Sequence, residues 1–401
     1  MHTTIEPVDL ASPDFKSSAY AIYARLRAEE PVHRTTLPDG RALWLVTRYD
    51  DCVAALKDER LVKDWRALGA DFFGADSEQL LLERHMLNMD PPDHTRLRAI
   101  VNKAFTPRLV EGLRGRIQAI ADGLLDDVQG RGEMDVVADY AFPLPIIVIA
   151  EMLGVPVEDR HRIRAWSDAV VGGVPTRENV ERTGAMIKEF NDYLLDMVEE
   201  RRRAPREDLL SALVHVEEEG AGRLDENELL SMVFLLLVAG HETTVNLIAN
   251  GILALLTHPV EKAKLQADPS LMRSAIEELL RYDSPVETAT FRFAREELEL
   301  GGAVIPKGDV VVVVIGSANR DPELTPSPEE LDLARDPNRH IAFGLGVHYC
   351  LGAPLARLEG QIAIGTILRR MPNLALKVAP EAIQIRPSLI VRGPVALPVS
   401  F

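Results

Sequence analysis

The sequence predicts a mainly helical α+β fold with small β-sheets, built as a single large domain over residues 1–401. Apolar residues recur at helical spacing through most of the chain up to residue 282. Glycine turns and β-branched runs, which are typical of strands, are concentrated after residue 283. No stretch rich in Gly, Ser or Pro divides the sequence into two halves, so we expect one domain.

Helices are predicted wherever the apolar positions repeat with a period of about 3.6 residues. One further helix is expected to start near Ala353 and Pro354, because proline is tolerated in a first helical turn. The other predicted helices cover residues 18–29, 50–58, 94–104, 108–129, 138–153, 158–171, 178–202, 208–217, 226–257 and 270–282.

Strands are predicted from β-branched runs and turn signals. A turn at Pro38-Asp39-Gly40 leads into a strand at residues 43–48, and residues 297–305 contain a turn at Gly301-Gly302. Further strands are expected at residues 310–315, 374–378 and 383–391.

Composition and charge restrict the class of protein. The chain carries a net charge of −17, which argues against a nucleic-acid partner because such binding needs a basic surface. Its two cysteines, Cys52 and Cys350, cannot form a disulfide framework in 401 residues, so a reducing cytoplasm is expected. The N-terminus lacks the basic and apolar regions of a signal peptide. We therefore expect a cytoplasmic monomer without a membrane anchor.

The most apolar stretch, residues 232–256, is predicted to be a buried helix of a soluble protein. A membrane span needs about 20 mostly apolar residues. Six polar residues interrupt this stretch: His241, Glu242, Thr243, Thr244, Asn246 and Asn250. Charged and hydroxyl groups in an apolar helix are costly unless they are hydrogen-bonded or used in chemistry.

The most specific signal is the pattern F-x-x-G-x-x-x-C-x-G at residues 343–352, just ahead of the helix predicted near Ala353. A cysteine at a helix N-terminus favours the thiolate, because the helix dipole and free N–H groups stabilise negative charge. Gly344, Gly346 and Gly352 remove side chains where a flat macrocycle has to approach the backbone. The pattern therefore predicts a reactive thiolate at Cys350 rather than an ordinary buried cysteine in a glycine-rich turn.

This segment is similar to the haem-binding signature of the cytochrome P450 superfamily, and the likeness extends over nearly the whole chain. The resemblance implies a P450-type helical domain that binds haem b, with Cys350 as the axial ligand to the metal. It also implies that Phe343, Gly344, His348 and Gly352 bind the cofactor.

By the same resemblance, the hexapeptide Ala239-Gly240-His241-Glu242-Thr243-Thr244 crosses the haem on the dioxygen side. Ala239 and Gly240 would contact the cofactor there. Glu242 and Thr243, an acid followed by an alcohol, would be the catalytic residues that deliver protons during dioxygen activation.

The two haem propionates need cationic or hydrogen-bonding partners. Asp93 can cap a helix that carries His94 and Arg98 on one face, and this pattern after Pro91-Pro92 resembles the family's propionate-binding helix. The resemblance adds Arg292 and His348 as propionate partners.

A third landmark is the E-x-x-R pair of Glu278 and Arg281, which lie three residues apart on a predicted helix. In the family this pair is structural and has a third basic member. Arg335 and Arg339 are both candidates for that member.

Residues 94–116 contain six basic residues but only one acid, Glu111. This excess of positive charge predicts a basic patch that steers an acidic electron carrier. No flavin or iron–sulfur motif follows Cys350, so ferredoxin and ferredoxin reductase are the expected electron donors. The six basic residues are Arg96, Arg98, Lys103, Arg108, Arg114 and Arg116.

The substrate is expected to be a lipophilic small molecule, because the segments that resemble the family's substrate pocket are mostly apolar. The amino-acid sequence resembles those of bacterial families that oxidise macrolides, terpenoids, steroids or fatty acids. These segments cover residues 62–88, 165–185, 238–243, 286–290 and 389–391, and they include Trp65, Phe72, Phe73, Val171, Val286, Ala289 and Ile390.

The predicted activity is insertion of one oxygen atom of dioxygen into this substrate, by hydroxylation or epoxidation, in secondary or xenobiotic metabolism. A peroxide-driven peroxygenase and a non-catalytic haem-binding protein are the alternatives. The acid–alcohol pair Glu242-Thr243 argues against both.

Overall fold

A computed structural model of the chain describes residue 5, residues 8–10, residue 12, and residues 15–37, 40–68, 82–171, 177–216 and 222–401. Helices dominate these residues. They are α1 (Phe15–Glu29), α2 (Tyr49–Lys57), α3 (Asp93–Ala104), α4 (Pro107–Gly112), α5 (Arg114–Gln129), α6 (Pro143–Leu153), α7 (Arg160–Val171), α8 (Arg177–Arg203), α9 (Leu209–His215), α10 (Glu226–Thr257), α11 (Pro259–Ala267), α12 (Met272–Tyr282), α13 (Ile315–Ala318) and α14 (Ala353–Arg370).

Short strands form small sheets. They are β1 (Val32–Thr36), β2 (Ala42–Val46), β3 (Leu61–Val62), β4 (Glu133–Asp135), β5 (Arg292–Ala294), β6 (Leu298–Leu300), β7 (Ala303–Ile305), β8 (Val310–Val313), β9 (Ala375–Leu376) and β10 (Pro398–Ser400). One sheet has the order β1-β2-β8-β5-β3, a second has the order β4-β10-β9, and β6 pairs with β7. The prediction of a mainly helical α+β fold with small sheets is confirmed.

Most predicted helices are present with bounds that differ by a few residues. The prediction for residues 226–257 is confirmed at both ends, whereas the single helix predicted at 108–129 is wrong and forms α4 and α5, which are separated at Leu113. The predicted helix at 138–153 starts with a π-helical turn, Val137–Ala141, and α6 begins only at Pro143. Proline lacks the N–H that continuation of the preceding turn would need.

The strand predicted at residues 383–391 is wrong. Only isolated bridges occur there, between Ile385 and Pro394 and between Val286 and Val391, and the last strand of the chain is β10. Pro387 interrupts the apolar run, and a proline cannot donate a hydrogen bond to a strand ladder. Pro38 and Asp39 of the predicted turn lie outside the described residues.

The described residues fall into two compact units that alternate along the chain. Unit 1 comprises residues 1–62, 118–141 and 243–401, and it holds every strand named above. The larger of its sheets packs in an apolar core with α2. That core includes Val46, Cys52, Ala55, Leu56, Ala294, Val311, Val313 and Ile341.

Unit 2 comprises residues 63–117 and 142–242, and its described α-helices are α3, α4, α6 to α9 and the first half of α10. Stacked aromatic rings lie in its interior. The rings of Trp166 and Phe190 are 4.7 Å apart and nearly parallel, and Phe234 meets Phe190 edge-on at 5.5 Å. Such ring pairs join α7, α8 and α10 within this unit.

Helix α10 is the one helix in the described part of the chain that is long and apolar enough to cross a membrane. Within its most apolar window, 83% of the residues are buried inside the protein. A core helix passes the same test of length and composition, and the burial fits that interpretation.

Candidate active site

Residues 343–352, called the cysteine loop below, form a tight turn ahead of α14. The Cys350 N–H donates to the Phe343 carbonyl oxygen at 2.9 Å, which closes the loop on itself. Gly344 and Gly346 have φ values of 68° and 71°, a region that side chains rarely adopt. A Cβ on Gly346 would also lie 3.4 Å from the carbonyl oxygen of Leu56. Backbone conformation therefore favours glycine at positions 344 and 346.

The two cysteines differ in environment. Cys52 is fully buried, its thiol donates to the Val46 carbonyl oxygen at 3.1 Å, and burial raises its pKa well above the ordinary value. Cys350 is only partly buried and stands three positions before the start of α14, whose first turn contains Pro354. Gly352 follows it, and a Cβ there would lie 3.9 Å from the Cys350 sulfur. Cys350 is therefore the sulfur that an external ligand can reach.

Helix α10 exposes one short face in an otherwise buried stretch. Between Glu228 and Ile252, which the structure describes in full, every residue is buried except Ala239, Gly240 and Thr243. These three residues are spaced so that they share one side of the helix. We call them the accessible face of α10. It contains Ala239 and Gly240, which were predicted to contact the cofactor, and Thr243 of the predicted acid–alcohol pair, but not Glu242.

The acid of the acid–alcohol pair lies inside the protein. Glu242 is 2% exposed, and its Oε1 lies 3.4 Å from Nε2 of His241, which is also buried. The Nδ1–H of His241 donates to the Leu237 carbonyl oxygen at 2.7 Å, which fixes the orientation of the ring. Phe142 meets the His241 ring edge-on at 5.8 Å. The side chain of His241, which precedes Glu242, is therefore held in one orientation.

The four predicted propionate partners lie on three different segments of the chain. Arg292 is buried in β5, and His348 lies partly exposed in the turn that precedes Cys350. Both belong to unit 1, whereas His94 and Arg98 lie on α3 in unit 2. Burial and then the charge of Arg98 lower the pKa of His94, so this imidazole is a neutral hydrogen-bonding group at neutral pH.

The third member of the E-x-x-R cluster is Arg335. Glu278 and Arg281 are both completely buried and form two hydrogen bonds of 2.8 Å. The Nε of Arg335 lies 3.2 Å from each oxygen of the Glu278 carboxylate. Arg339 is exposed instead. The distances to Glu278 therefore identify Arg335, and not Arg339, as the third member of the cluster.

The predicted basic patch is partly neutralised by acids that are distant in sequence. Arg116 pairs with Glu151 at 2.7 Å and Arg96 pairs with Glu228, while Arg114 pairs with Glu111 at 2.6 Å. The prediction counted only acids within residues 94–116, so it overestimated the net charge of this surface.

Two of the predicted substrate-binding segments lie side by side within unit 1. The N–H of Glu287 donates to the Ile390 carbonyl oxygen at 2.8 Å, and Val286 bridges to Val391. Trp65 is buried within unit 2. Phe72, Phe73 and the side chain of Val171 lie outside the described residues.

The contacts around the cysteine loop include two residues that were not predicted. Arg357 on α14 binds Glu277 on α12 and also touches the loop. The only signal in the sequence was an arginine about one turn into the helix after the cysteine motif. Such a residue is by itself indistinguishable from a solvated surface charge.

Comparison with known proteins identifies the family of the chain. The sequence model of the family described as Cytochrome P450 matches residues 174–397. The chain is 46% identical over 395 residues to the polyketide biosynthesis cytochrome P450 PksS of Bacillus subtilis (strain 168), with 97% of each protein covered. It is 47% identical over 405 residues to the cytochrome P450 monooxygenase PikC of Streptomyces venezuelae, covering 100% of this chain and 96% of that protein.

Among solved structures, a myxobacterial cytochrome P450 in complex with myristic acid matches with a TM-score of 0.93 and 49% identity, over 98% of each chain. A helical fold with a reachable cysteine ahead of a helix is the arrangement of a haem-thiolate protein. The chain belongs to the cytochrome P450 family, and its relatives are monooxygenases and hydroxylases.

The residues present fit the haem that the family implies. The cysteine loop offers one accessible sulfur next to Gly352, and the accessible face of α10 presents small side chains and one hydroxyl. Buried Arg292 and partly exposed His348 supply donors for carboxylates in the unit that holds Cys350. No group of three His, Cys, Asp or Glu side chains suited to a bare metal ion occurs among the described residues.

Proposed function

We propose that this protein is a haem-dependent monooxygenase that inserts one oxygen atom of dioxygen into a lipophilic small molecule, by hydroxylation or epoxidation. The observation that carries this proposal is the accessible face of α10, because Ala239, Gly240 and Thr243 are the only unburied residues between Glu228 and Ile252, all of which the structure describes. A hydroxyl that is left accessible on an otherwise buried, apolar helix is expected where a ligand binds, whereas a surface that only packs against other helices would bury it.

Cys350 would hold the iron of haem b as a thiolate, assisted by the N-terminus of α14. Phe343, Gly344 and Gly352 shape the loop around the sulfur, and Arg292 and His348 would bind propionate oxygens. The assignment of His94 and Arg98 to the propionates rests on the family pattern. When bound, the haem supplies dioxygen activation and oxygen-atom transfer.

The protein's own contribution to this chemistry is control of protons. The Thr243 hydroxyl lies on the accessible face of α10 and can donate and accept a hydrogen bond there. Glu242 precedes it but is buried, so its carboxyl is shielded from bulk water. A buried acid next to an accessible alcohol is suited to passing protons one at a time while excluding general solvent access.

The proposed substrate class is a bulky polyketide-derived molecule in secondary metabolism. The support comes from the relatives: PksS is named for polyketide biosynthesis, and a 42% identical relative is named 6-deoxyerythronolide B hydroxylase. The apolar residues Val286 and Ile390 in the neighbouring segments of unit 1 fit a lipophilic ligand.

Electrons would come from a separate ferredoxin and its reductase, and the protein would act as a cytoplasmic monomer. The burial of α10 is consistent with that location. We also retain the proposal that residues 1–401 form a single domain, because the chain passes several times between the two units.

The haem-thiolate assignment is tested by the absorbance spectrum of the reduced protein with carbon monoxide. Wild-type protein and Cys52→Ser should show the band of a thiolate-ligated haem, whereas Cys350→Ser should lose it. Loss of the band in Cys52→Ser with retention in Cys350→Ser would refute the assignment.

The reaction type is tested by omitting reactants one at a time. A monooxygenase requires reductant and dioxygen, a peroxygenase forms product with hydrogen peroxide alone, and a non-catalytic haem protein forms none. For the substrate, polyketides, steroids and fatty acids should be titrated against the ferric protein. The proposed class predicts the largest spin-state change with polyketides, and a preference for either other group would contradict it.

A further inference from the structure

Arg357 contacts two residues of the cysteine loop that precede Cys350. Its guanidinium carbon lies 4.4 Å from the centre of the Phe343 ring, and its Nη1 donates to the Tyr349 hydroxyl at 3.3 Å. The carbonyl of Phe343 accepts the Cys350 N–H, and Tyr349 directly precedes Cys350. One side chain therefore touches both residues that fix the backbone of the cysteine.

Glu277 holds Arg357 in this position. Nε and Nη2 of Arg357 donate to the two oxygens of the Glu277 carboxylate at 2.7 and 2.8 Å. The His340 Nδ1 accepts the Ala342 N–H, so its Nε2 can donate to Glu277 at 3.1 Å. Burial would raise the pKa of Glu277, but the hydrogen bonds from Arg357 and His340 lower it to about 2. The carboxylate is thus ionised at neutral pH and can hold the guanidinium group.

On the side that faces Arg357, the cysteine loop is not densely packed against the rest of the protein. A cavity of about 280 Å³ borders the loop and is lined by Phe343, Gly344, Leu345 and Tyr349 as well as by Glu277, His340 and Arg357. Where it borders this cavity, the loop is not packed against other protein atoms that would add dispersion contacts. The ring and hydrogen-bond contacts of Arg357 consequently carry a larger share of its restraint.

We propose that Arg357, oriented by Glu277, is a positioning residue that holds the cysteine loop in the conformation in which Cys350 ligates haem iron as a thiolate. This inference rests on the proposed role of Cys350. A bidentate arginine is suited to the task because its planar group pairs with a carboxylate and stacks on a ring at the same time.

The test compares Arg357→Gln, Arg357→Lys and Tyr349→Phe in the haem-loaded protein. In Arg357→Gln, hydrogen–deuterium exchange of residues 343–352 should rise about tenfold, a factor that corresponds to roughly 1.4 kcal/mol. The reduced carbon monoxide complex should shift partly to the band of a neutral thiol ligand, and the reduction potential of the haem should change. Arg357→Lys should behave like Arg357→Gln, because lysine keeps the charge but loses the planar pairing.

Arg370→Gln is the matched control, since Arg370 lies on the same helix and pairs with Asp122 and Asp126 rather than with the loop. It should lower the unfolding temperature without altering the spectrum, the potential or loop exchange. If Arg357→Gln does not fold, Tyr349→Phe, which removes only the hydroxyl, should show the same changes at smaller size.

Unchanged exchange, spectrum and potential in Arg357→Gln and Arg357→Lys would overturn the inference, and so would equal changes in Arg370→Gln. The wild-type spectrum separates this outcome from failure of the proposed function. A wild-type protein without the thiolate band refutes the role of Cys350 itself. A normal wild-type band with unaffected variants refutes only the positioning role of Arg357.

Discussion

Arg335 reaches from a loop to both carboxylate oxygens of Glu278, at 3.2 Å each, and so completes a buried cluster with Arg281. Glu278 also accepts the Asp332 N–H at 3.0 Å. A fully buried carboxylate is stabilised only when its oxygens are paired in this way. The cluster ties α12 to the segment that leads towards the cysteine loop.

Replacing Arg335 with glutamine should destabilise the protein by about 2 kcal/mol, because a charged hydrogen bond to a buried carboxylate is lost. Arg339→Gln, at the exposed candidate position, should change the free energy of unfolding by less than about 0.5 kcal/mol. Urea unfolding followed by circular dichroism measures both. Equal effects of the two variants would contradict the assignment of Arg335.

Replacing Thr243 with alanine should separate reductant consumption from product formation. The hydroxyl on the accessible face of α10 is lost, so product per reductant consumed should fall, by about tenfold or more if Thr243 is part of the proton path. Thr243→Ser should restore much of the yield. Thr257→Ala, in the last turn of the same helix, is the control, and its yield should match wild type. Full yield in Thr243→Ala would exclude the hydroxyl from this role.

Glu359 makes stability depend on pH. Burial raises the pKa of this carboxyl from the ordinary 4.5 to about 8, and contact with Thr244 opposes the shift only in part. Between about pH 4.5 and pH 8 the folded state keeps a proton that the unfolded state releases. Stability contributed by this group is therefore present at low pH and falls as the pH rises through this window, by up to about 1.4 kcal/mol per pH unit.

Glu359→Gln should flatten this dependence and raise the unfolding temperature relative to wild type at pH 8 to 9. Glu381→Gln, at an exposed position, is the control and should follow the wild-type profile. Unfolding temperatures measured from pH 5 to pH 9 give the comparison. Parallel profiles for wild type and Glu359→Gln would show that the buried carboxyl is not the cause.

Reversal of charge at Arg108 tests the electron-carrier surface. Arg108 is exposed, whereas Arg114 and Arg116 are already in ion pairs. Among charge reversals at these three arginines, Arg108→Glu should therefore slow reduction by an acidic ferredoxin the most, several-fold at low salt. Stopped-flow reduction at increasing ionic strength measures this, and the difference from wild type should shrink with salt. Arg203→Glu is the control, because Arg203 is an exposed arginine of unit 2 that lies outside the predicted basic patch and pairs with Glu199.

If Arg203→Glu slows reduction as much as Arg108→Glu, the effect reflects net charge rather than a docking surface. An unchanged rate and salt dependence in Arg108→Glu would contradict the proposed steering.

Patterns that are local in sequence were sufficient to predict the helical class, the bounds of α10 and the cysteine motif. Helical periodicity, proline at a helix start and glycine at positive φ depend on a few neighbouring residues, so they are legible before folding. The strand predicted at residues 383–391 failed where Pro387 breaks the ladder, although that proline was visible in the sequence.

Tertiary structure decided what depends on contacts between distant residues. The choice of Arg335 over Arg339, the neutralisation of Arg116 by Glu151, and the contact of Arg357 with the cysteine loop could not be read from spacing. Each is an electrostatic or ring contact whose partner lies elsewhere in the chain, and its strength depends on distance and burial. The sequence alone therefore predicted a cysteine-based haem site, and folding determined which charged residues pair with one another and which of them contact the cysteine loop.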